Sequence, residues 1–572
     1  MEKIKKLKKL ISNLKIDGYL VPKNDEFFSE YVPKNKDNLN YITNFSGSYG
    51  FALILKDKNY LFVDGRYTLQ ANNQSGKNFK VITIPKKLPK NILGNKNLLI
   101  GYDPKLHTEL MLKQFFHNTK CKLVNINFNL IDKIKKTSYI KKPKKIFVIK
   151  EKDAGVKNTS KINKLVKVNK KKKIDLQFVT ASENVAWLLN IRGGDSDFSP
   201  LPNSYLILDC KKNLYLFCDL DKVDSKTKKI LRHITIVDIK FVEKFLNNIN
   251  NKTIQIDKLS CSILFKEILK KNNSIIETQD PIYYLKCIKN NIEISNSIKS
   301  HIFDGVALTK FMFWIKNNFK NKKITEIDAQ KKLLSFRKKN KNFISLSFPT
   351  ISGTGSNGAI IHYKADKNTN KILLKKDLYL VDSGAQYKFG TTDVTRTLSL
   401  ENSDPRIKDI YTRVLKGHIA VANFKIDKKT TGSKIDKAAR KYLKQINLDY
   451  PHGTGHGVGY FLNVHEGPQA ISSKNKIKLK QGMILSNEPG YYENGKFGIR
   501  IENLVRIKKI GALYRFEDLT LAPIDKTLIE KKLLKKNEIY WLNEYHEKVY
   551  KNLKKYMNKH ELSDLKSYCS NI

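Results

Sequence analysis

Three of the chain's eleven histidines fall in one segment, Pro451-His-Gly-Thr-Gly-His-Gly-Val-Gly-Tyr-Phe-Leu-Asn-Val-His-Glu-Gly467, together with five glycines. Imidazoles can ligate a metal or exchange hydrogen bonds as neutral groups near physiological pH. The glycines remove side chains that would keep backbone or ligand away. Taken alone, a glycine-rich turn with incidental histidines is a fair alternative, so the acids elsewhere decide the matter. Leu378-Tyr-Leu-Val-Asp382 reads as a strand, and a glycine-containing turn leads from it to Thr391-Thr-Asp-Val-Thr-Arg-Thr397. Two strands joined in this way set Asp382 beside Asp393. Adjacent carboxylates repel, and a cation between them relieves that repulsion. Asn487-Glu488-Pro489-Gly490 closes a further apolar strand, Met483 to Leu485. Gly498 to Val505 reads as one alternating strand, with Ile499, Ile501 and Asn503 facing opposite to Arg500 and Glu502. A glutamate in mid-strand is expensive to bury without a partner. Asp382, Asp393, Glu488 and Glu502 with His456 make an oxygen-rich set with one imidazole, which suits two hard or borderline divalent ions such as Mn2+ better than a structural zinc.

These residues need strands to carry them, and the chain holds material for several domains: 572 residues exceed one hydrophobic core. The N-terminal half reads as a duplication. Asn38-Leu-Asn-Tyr-Ile-Thr-Asn-Phe-Ser-Gly47 precedes strands at Phe51–Leu55 and Tyr60–Val63. In the same order, Asn184-Val-Ala-Trp-Leu-Leu-Asn-Ile-Arg-Gly193 precedes Tyr205–Leu208 and Leu214–Cys218. Each copy is a short apolar helix, a glycine-containing loop and a hairpin ending in aspartate (Asp64, Asp219), so two related domains are expected. The Lys-rich stretch Lys133 to Lys150, with Pro143, reads as the linker between them. A long helix from Ile292 to about Lys316 opens a third, larger domain, and the tail from Leu528 to Ile572 is helical in pattern. His301 and His418 fall on expected helices and read as structural.

Composition bounds the alternatives. The 40% hydrophobic and 10% aromatic content excludes wholesale disorder. The net charge of +54 invites a nucleic-acid or membrane partner. However, lysine dominates over arginine and is spread along the chain, so a solvated surface is the better reading and neither partner is expected. The densest run, Lys167 to Lys173, reads as a surface loop. Six cysteines without CxxC spacing read as free thiols of a reducing compartment. Residues Lys3 to Leu14 carry Ile4, Leu7, Leu10, Ile11 and Leu14 at helical spacing, a docking face with no secretory apolar core. No stretch approaches the roughly 18 apolar residues of a membrane span. A cytoplasmic protein is expected.

The five ligand-type residues, in this order and these local contexts, resemble the pita-bread metallopeptidases, and the whole chain is similar to the three-domain, cytosolic type of aminopeptidase P. Four stretches carry the likeness in the first instance: Asn44-Phe-Ser-Gly-Ser with Val63-Asp-Gly-Arg-Tyr67; Ala186 to Gly193; Leu346-Ser-Phe-Pro-Thr-Ile-Ser352 through Gly358-Ala-Ile-Ile-His-Tyr363; and Val381 to Arg396. The segments His452 to Glu466, Glu488-Pro-Gly-Tyr-Tyr492, Gly498 to Asn503 and Trp541-Leu-Asn-Glu-Tyr-His546 complete it.

That resemblance implies an α/β (α+β) chain: creatinase-like α/β domains at 1–140 and 141–288, then a pita-bread catalytic domain with a helical tail at 289–572. It implies a homodimer that hydrolyses the N-terminal Xaa-Pro bond by a hydroxide bridging two divalent ions, Mn2+ fitting best. A peptide with proline in second position has no amide N–H there, so ordinary extended-strand recognition cannot seize it. In residue terms the resemblance makes Asp382, Asp393, His456, Glu488 and Glu502 the metal ligands, with Glu488 also the general base. His465 becomes the oxyanion donor, His362 a neighbour of the scissile group, and His452 a contact beyond the proline. Arg66 of the first domain would reach a catalytic site and bind substrate, and Arg500 would orient Glu488 or Glu502 or form a plain ion pair. The competing readings are a proline dipeptidase, disfavoured by the duplicated N-terminal half, and a non-catalytic pita-bread binding module, disfavoured by the full ligand set.

Overall fold

Ile4, Leu7 and Ile11 recur one turn apart and are buried in the first helix, Glu2–Asn13, as an amphipathic docking face requires. Leu14, the last of that series, falls beyond the helix end and is exposed. A computed structural model describes residues 2–135, 144–401, 404–511 and 513–572. The chain divides into two compact units, Met1–Tyr283 and Tyr284–Ile572. The boundary expected at 140/141 and residues 136–143 of the expected linker lie outside the described residues. The end of that linker is not loop: Phe147–Val148 pairs with Ile191–Arg192.

The N-terminal unit contains two six-stranded sheets of one topology. Across the first, the order is Lys80–Ile84, Asn59–Asp64, Phe51–Leu55, Gly18–Pro22, Leu99–Tyr102 and Lys122–Asn125. Across the second it is Thr235–Asp238, Leu214–Cys218, Ser204–Asp209, Leu176–Val179, Thr253–Asp257 and Ser274–Thr278. In both, the three strands of the meander are antiparallel and the outer additions are parallel. The helices read as equivalent, Asn38–Thr43 and Ser182–Leu189, each stop on a left-handed asparagine, Asn44 (φ 63°) and Asn190 (φ 56°). The duplication therefore extends from sequence order to strand topology.

One expectation in this unit fails. Lys167 to Lys171 belong to the helix Asn158–Lys171, not to a loop. Its buried residues Ile162, Leu165, Val166 and Asn169 recur at helical spacing, but the lysines between them mask the period in the sequence.

The second unit, Tyr284–Ile572, has as its first long helix Asn291–Asn318, started by a capping box between Asn290 and Glu293. Its site strands lie in two antiparallel sheets. One contains Ile351–Thr354, Leu378–Ser383 and Val394–Ser399; the other runs Glu466–Ile471, Gly455–Gly457, Ile484–Asn487, Asn503–Ile510 and Leu513–Asp518. Residues 498–505 do not form one strand. Phe497–Arg500 hairpins with Gly490–Glu493, whereas Asn503–Ile510 belongs to the five-stranded sheet. Ile499 and Ile501 still share one core cluster, with Ile407, Val414, Leu542 and Val549. The chain thus changes sheet at Ile501–Glu502 while keeping its apolar face inward. The tail helices Lys536–Leu553 and Lys559–Tyr568 pack into that same cluster through Leu542, Tyr545, Val549 and Leu565. Among the described residues, no helix is long and apolar enough to cross a membrane.

Candidate metal centre

Asp382 is next to last in the strand Leu378–Ser383, and Asp393 stands just before its antiparallel neighbour Val394–Ser399, in a register that pairs Asp382 with Thr395. His456 lies in Gly455–Gly457 of the other sheet, and Glu488 follows Ile484–Asn487 there, its N–H donating to Thr454 O at 2.8 Å. Glu502 sits at the change of sheet, its N–H donating to Thr395 O at 3.2 Å. Each acid thus occupies a strand end or break, where its backbone is tied to a neighbouring strand while its side chain converges on the others.

Donor atoms of Asp393, His456 and Glu502 all lie within 4.8 Å of one another. His456 Nε2 is 3.4 Å from Asp393 Oδ2 and 3.5 Å from Glu488 Oε1. His456 Nδ1 donates to Gly457 O at 2.9 Å, so the lone pair resides on Nε2 and faces the carboxylates, the tautomer a ligand needs. Burial, followed by the charges of Asp382 and Glu488, raises the Asp393 carboxyl well above its usual range. Glu502 is raised likewise, by burial and then by Asp393, Glu488 and Asp382; Arg500 pulls both acids the other way without offsetting this. Asp382 Oδ1 is buried with no hydrogen-bond partner among the described residues. Such an orphaned oxygen among crowded acids and one correctly oriented imidazole fits divalent cations.

A second layer holds these groups. Arg500 Nη2 donates to Asp382 Oδ2 at 2.7 Å, Nε to Thr395 Oγ1 at 3.0 Å, and Nη1 to Tyr492 Oη at 2.6 Å. Thr395 Oγ1 in turn donates to Glu502 Oε2 at 2.7 Å, and Ser486 Oγ to Glu488 Oε1 at 2.9 Å. Arg500 therefore grips Asp382 directly and reaches Glu502 only through Thr395. Of the two expectations for Arg500 the ion pair is the one found, with Asp382 as its partner, and no direct bond joins Arg500 to Glu488 or Glu502 among the described residues. Thr395, Ser486 and Tyr492 had no role in the sequence reading. For the first two a signal existed: each lies two residues from an acid of the set, the spacing that places side chains on one face of a strand.

Arg396 is fully buried and donates to Glu502 O, Thr395 O, Asn503 Oδ1, Ala522 O, Pro523 O and Tyr545 Oη, at 2.6–2.9 Å. It ties the backbone at Glu502 to the C-terminal helix. His301 and His418 are buried, and their Nδ1 atoms donate to Ser297 O and Asn487 O, as structural histidines do.

The remaining histidines differ from one another. The His465 ring lies against His456, centroids 4.4 Å apart and planes at 76°. His452 has both nitrogens engaged, Nδ1 donating to Gly453 O at 2.7 Å and Nε2 accepting from Tyr492 Oη at 2.9 Å. His362 is half-buried on a loop shaped by buried Glu326, which accepts from Thr354 N, Asn357, Tyr363 Oη and Lys371 N. The carbonyl of the preceding Ile361 accepts from Arg500 Nη2 at 3.4 Å. Arg66 belongs to the N-terminal unit, where Asp64 binds its guanidinium through Nε and Nη2, the latter at 2.7 Å. Two glycines of the opening segment, Gly455 and Gly457, make room for the protein itself. A Cβ on Gly455 would fall 1.9 Å from Ser486 O, and one on Gly457 would fall 2.2 Å from Gln469 Nε2.

Comparison with known proteins places this geometry. Residues 297–509 match the model of metallopeptidase family M24, and 512–572 match the C-terminal region of that peptidase family. Residues 3–131 and 140–293 each match a creatinase/prolidase N-terminal domain. The chain is 38% identical to Xaa-Pro aminopeptidase 1 of Dictyostelium discoideum, over 96% of this chain and 92% of that protein. It is also 38% identical to a probable Xaa-Pro aminopeptidase P of Laccaria bicolor, over 95% and 89%. Among solved structures, the X-prolyl aminopeptidase of Caenorhabditis elegans, described as a cytosolic enzyme with a di-nuclear active site, aligns with TM-score 0.94 at 30% identity, over 100% of this chain and 99% of that one. The prolidase of Pyrococcus furiosus aligns with TM-score 0.51 at 26% identity, over 62% of this chain and 99% of that one. The chain belongs to metallopeptidase family M24, within the Xaa-Pro aminopeptidase group that carries creatinase-type N-terminal domains.

Proposed function

We propose that this protein is a metal-dependent aminopeptidase that hydrolyses the bond between an N-terminal residue and a following proline. In this reading Asp382, Asp393, His456, Glu488 and Glu502 hold two divalent metal ions. The observation that carries it is the convergence of four acids and one imidazole in which Asp393 and Glu502 are driven far above the ordinary carboxylate range by burial and by one another. Full-length likeness to Xaa-Pro aminopeptidases supports the substrate class, and the oxygen-rich donor set favours Mn2+.

Bound divalent ions supply Lewis acidity and a nucleophilic water at neutral pH. The chain's own groups do the rest. The Glu488 side chain, 19% exposed against 6% for Asp393 and 11% for Asp382, is the acid most open to an attacking water. It takes the water's proton and delivers it to the departing prolyl nitrogen. His465, beside His456, donates to the carbonyl oxygen as charge builds there; losing such a donor typically costs about 3–4 kcal/mol. His362 contacts the scissile group. His452 contacts the peptide beyond the proline, and a ring-nitrogen contact there exchanges its bond to Tyr492 or Gly453 for one to substrate. Arg66 binds substrate at a catalytic site of a homodimer, a role that rests on the family resemblance. A creatinase-like domain at 1–140, a second at 141–288 and the catalytic domain from 289 complete a cytoplasmic enzyme; the C. elegans neighbour, described as cytosolic, supports the location.

The test is to strip the protein with chelator and restore Mn2+, Co2+ or Zn2+ in turn, assaying an Xaa-Pro-Xaa tripeptide against an Xaa-Pro dipeptide. Metal-dependent release of the first residue from the tripeptide, with little dipeptide cleavage, is expected. Preference for the dipeptide would make the protein a proline dipeptidase, and activity indifferent to chelation would sink the metal site.

A further inference from the structure

The residue after His465 is an acid that the metal cluster does not use. Glu466 opens the strand Glu466–Ile471 and lies across from Gly457, the residue following His456. Its carboxylate meets two lysines. Lys289 Nζ is hydrogen-bonded to Oε1, and Lys286 Nζ stands 3.9 Å from Oε2. The three side chains are 0%, 2% and 1% exposed for Lys289, Lys286 and Glu466, so this is a buried cluster of charge. Both lysines come from the short stretch that opens the catalytic unit, ahead of the helix Asn291–Asn318. The backbone there is fixed too, since Lys289 N donates to Gly482 O at 2.9 Å.

Taking two ammonium groups and a carboxylate out of water is costly, and a buried pair of this kind is weak at adding stability. What it can do is fix register. Glu466 is the first residue of its strand and His465 the bend residue just before it, so anchoring Glu466 on Lys289 holds the backbone from which the His465 ring reaches that of His456.

We propose that Lys289, assisted by Lys286, is a positioning residue for His465: its pairing with buried Glu466 pins the start of the strand and thereby the bend from which the oxyanion donor projects. The inference rests on the reading of His465 given above. The experiment measures kcat, KM and bound metal on an Xaa-Pro-Xaa tripeptide for Lys289→Met, Lys289→Arg, His465→Ala and the Lys289→Met/His465→Ala double variant. Lys289→Met should lower kcat about 10- to 100-fold, with KM within about threefold and metal content unchanged. Lys289→Arg should recover most of that loss. In the His465→Ala background Lys289→Met should add nothing, because both changes remove one effect. Should Lys289→Met not fold, Lys289→Met/Glu466→Met takes its place with the same expectations, since it leaves no carboxylate buried alone. Full kcat in Lys289→Met, loss of metal with loss of kcat, or an undiminished further loss in the double variant overturns the inference. His465→Ala with full kcat overturns the reading of His465 itself, whereas His465→Ala inactive beside an active Lys289→Met overturns only the positioning role.

Discussion

Arg500 grips Asp382, Thr395 and Tyr492 at once, and through Thr395 it also steadies Glu502. A lysine could keep the charge but not three diverging contacts from one planar fork. Arg500→Lys is therefore expected to weaken metal binding or turnover by about 10- to 100-fold, read by titrating Mn2+ into chelated protein while following tripeptide cleavage. Among the proposed ligands, Asp393→Asn or His456→Ala should lose bound metal and activity together. His465→Ala should keep the metal, quantified by elemental analysis, and lose turnover; a metal-free His465→Ala protein would sink this division of roles. At this scale the residue types were legible in the sequence, since four acids and a histidine in apolar contexts demand a compensating charge. Arg500's partner was not. Asp382 lies more than a hundred residues away, and only the pairing of distant strands selects it over Glu488 or Glu502.

The elements around the site depend on close backbone packing. Gly455 has no room for a side chain because Ser486 O occupies the space, and Ser486 in turn donates to Glu488. Gly455→Ala is expected to push these strands apart and to reduce soluble folded protein and metal content together, as measured by calorimetry and elemental analysis. The sequence showed the glycines but left open whether they admit backbone or ligand; in the folded chain, neighbouring strands fill that space at Gly455 and Gly457. The helix Lys536–Leu553 reaches the site indirectly. Tyr545 Oη accepts from Arg396, which also binds Glu502 O. Tyr545→Phe should cost about 1 kcal/mol in urea unfolding. The tail was readable as helical from Trp541, Tyr545, Val549 and Leu553, whereas its bond to Arg396 was not, because nothing local in either segment names the other.

For the whole molecule, buried neutral histidines set an acid limit. Burial, then the charge of Arg396 at His418 and of Lys526 and Arg396 at His546, lowers each imidazole from 6.5 to about 3. Both are buried, and His546 Nε2 accepts from Ile524 N–H at 3.1 Å. Below pH 6.5 the unfolded chain binds protons at these sites and the folded chain does not, so their contribution is complete above that pH and declines as pH falls toward 3. The unfolding midpoint of the catalytic unit should drop between pH 6.5 and 4, and His546→Gln should make that drop shallower by nearly one proton in denaturant titrations. An unchanged slope would show that His546 does not set it.

By itself the sequence determined the chemistry and the plan: which side chains could hold metal, that the N-terminal half repeats, and that a third domain with a helical tail bears the site. Those features are local or periodic, written in residue type, in alternation and in the order of short motifs. Tertiary structure alone decided which groups face each other. It broke 498–505 at the change of sheet, turned Lys167–Lys171 into the end of a helix, and placed Arg500 on Asp382 and Lys289 on Glu466. The physical reason is common to all four. Alternation and helical period state which side of an element a residue takes, but the partner it meets there depends on register and packing between segments that are distant in the chain.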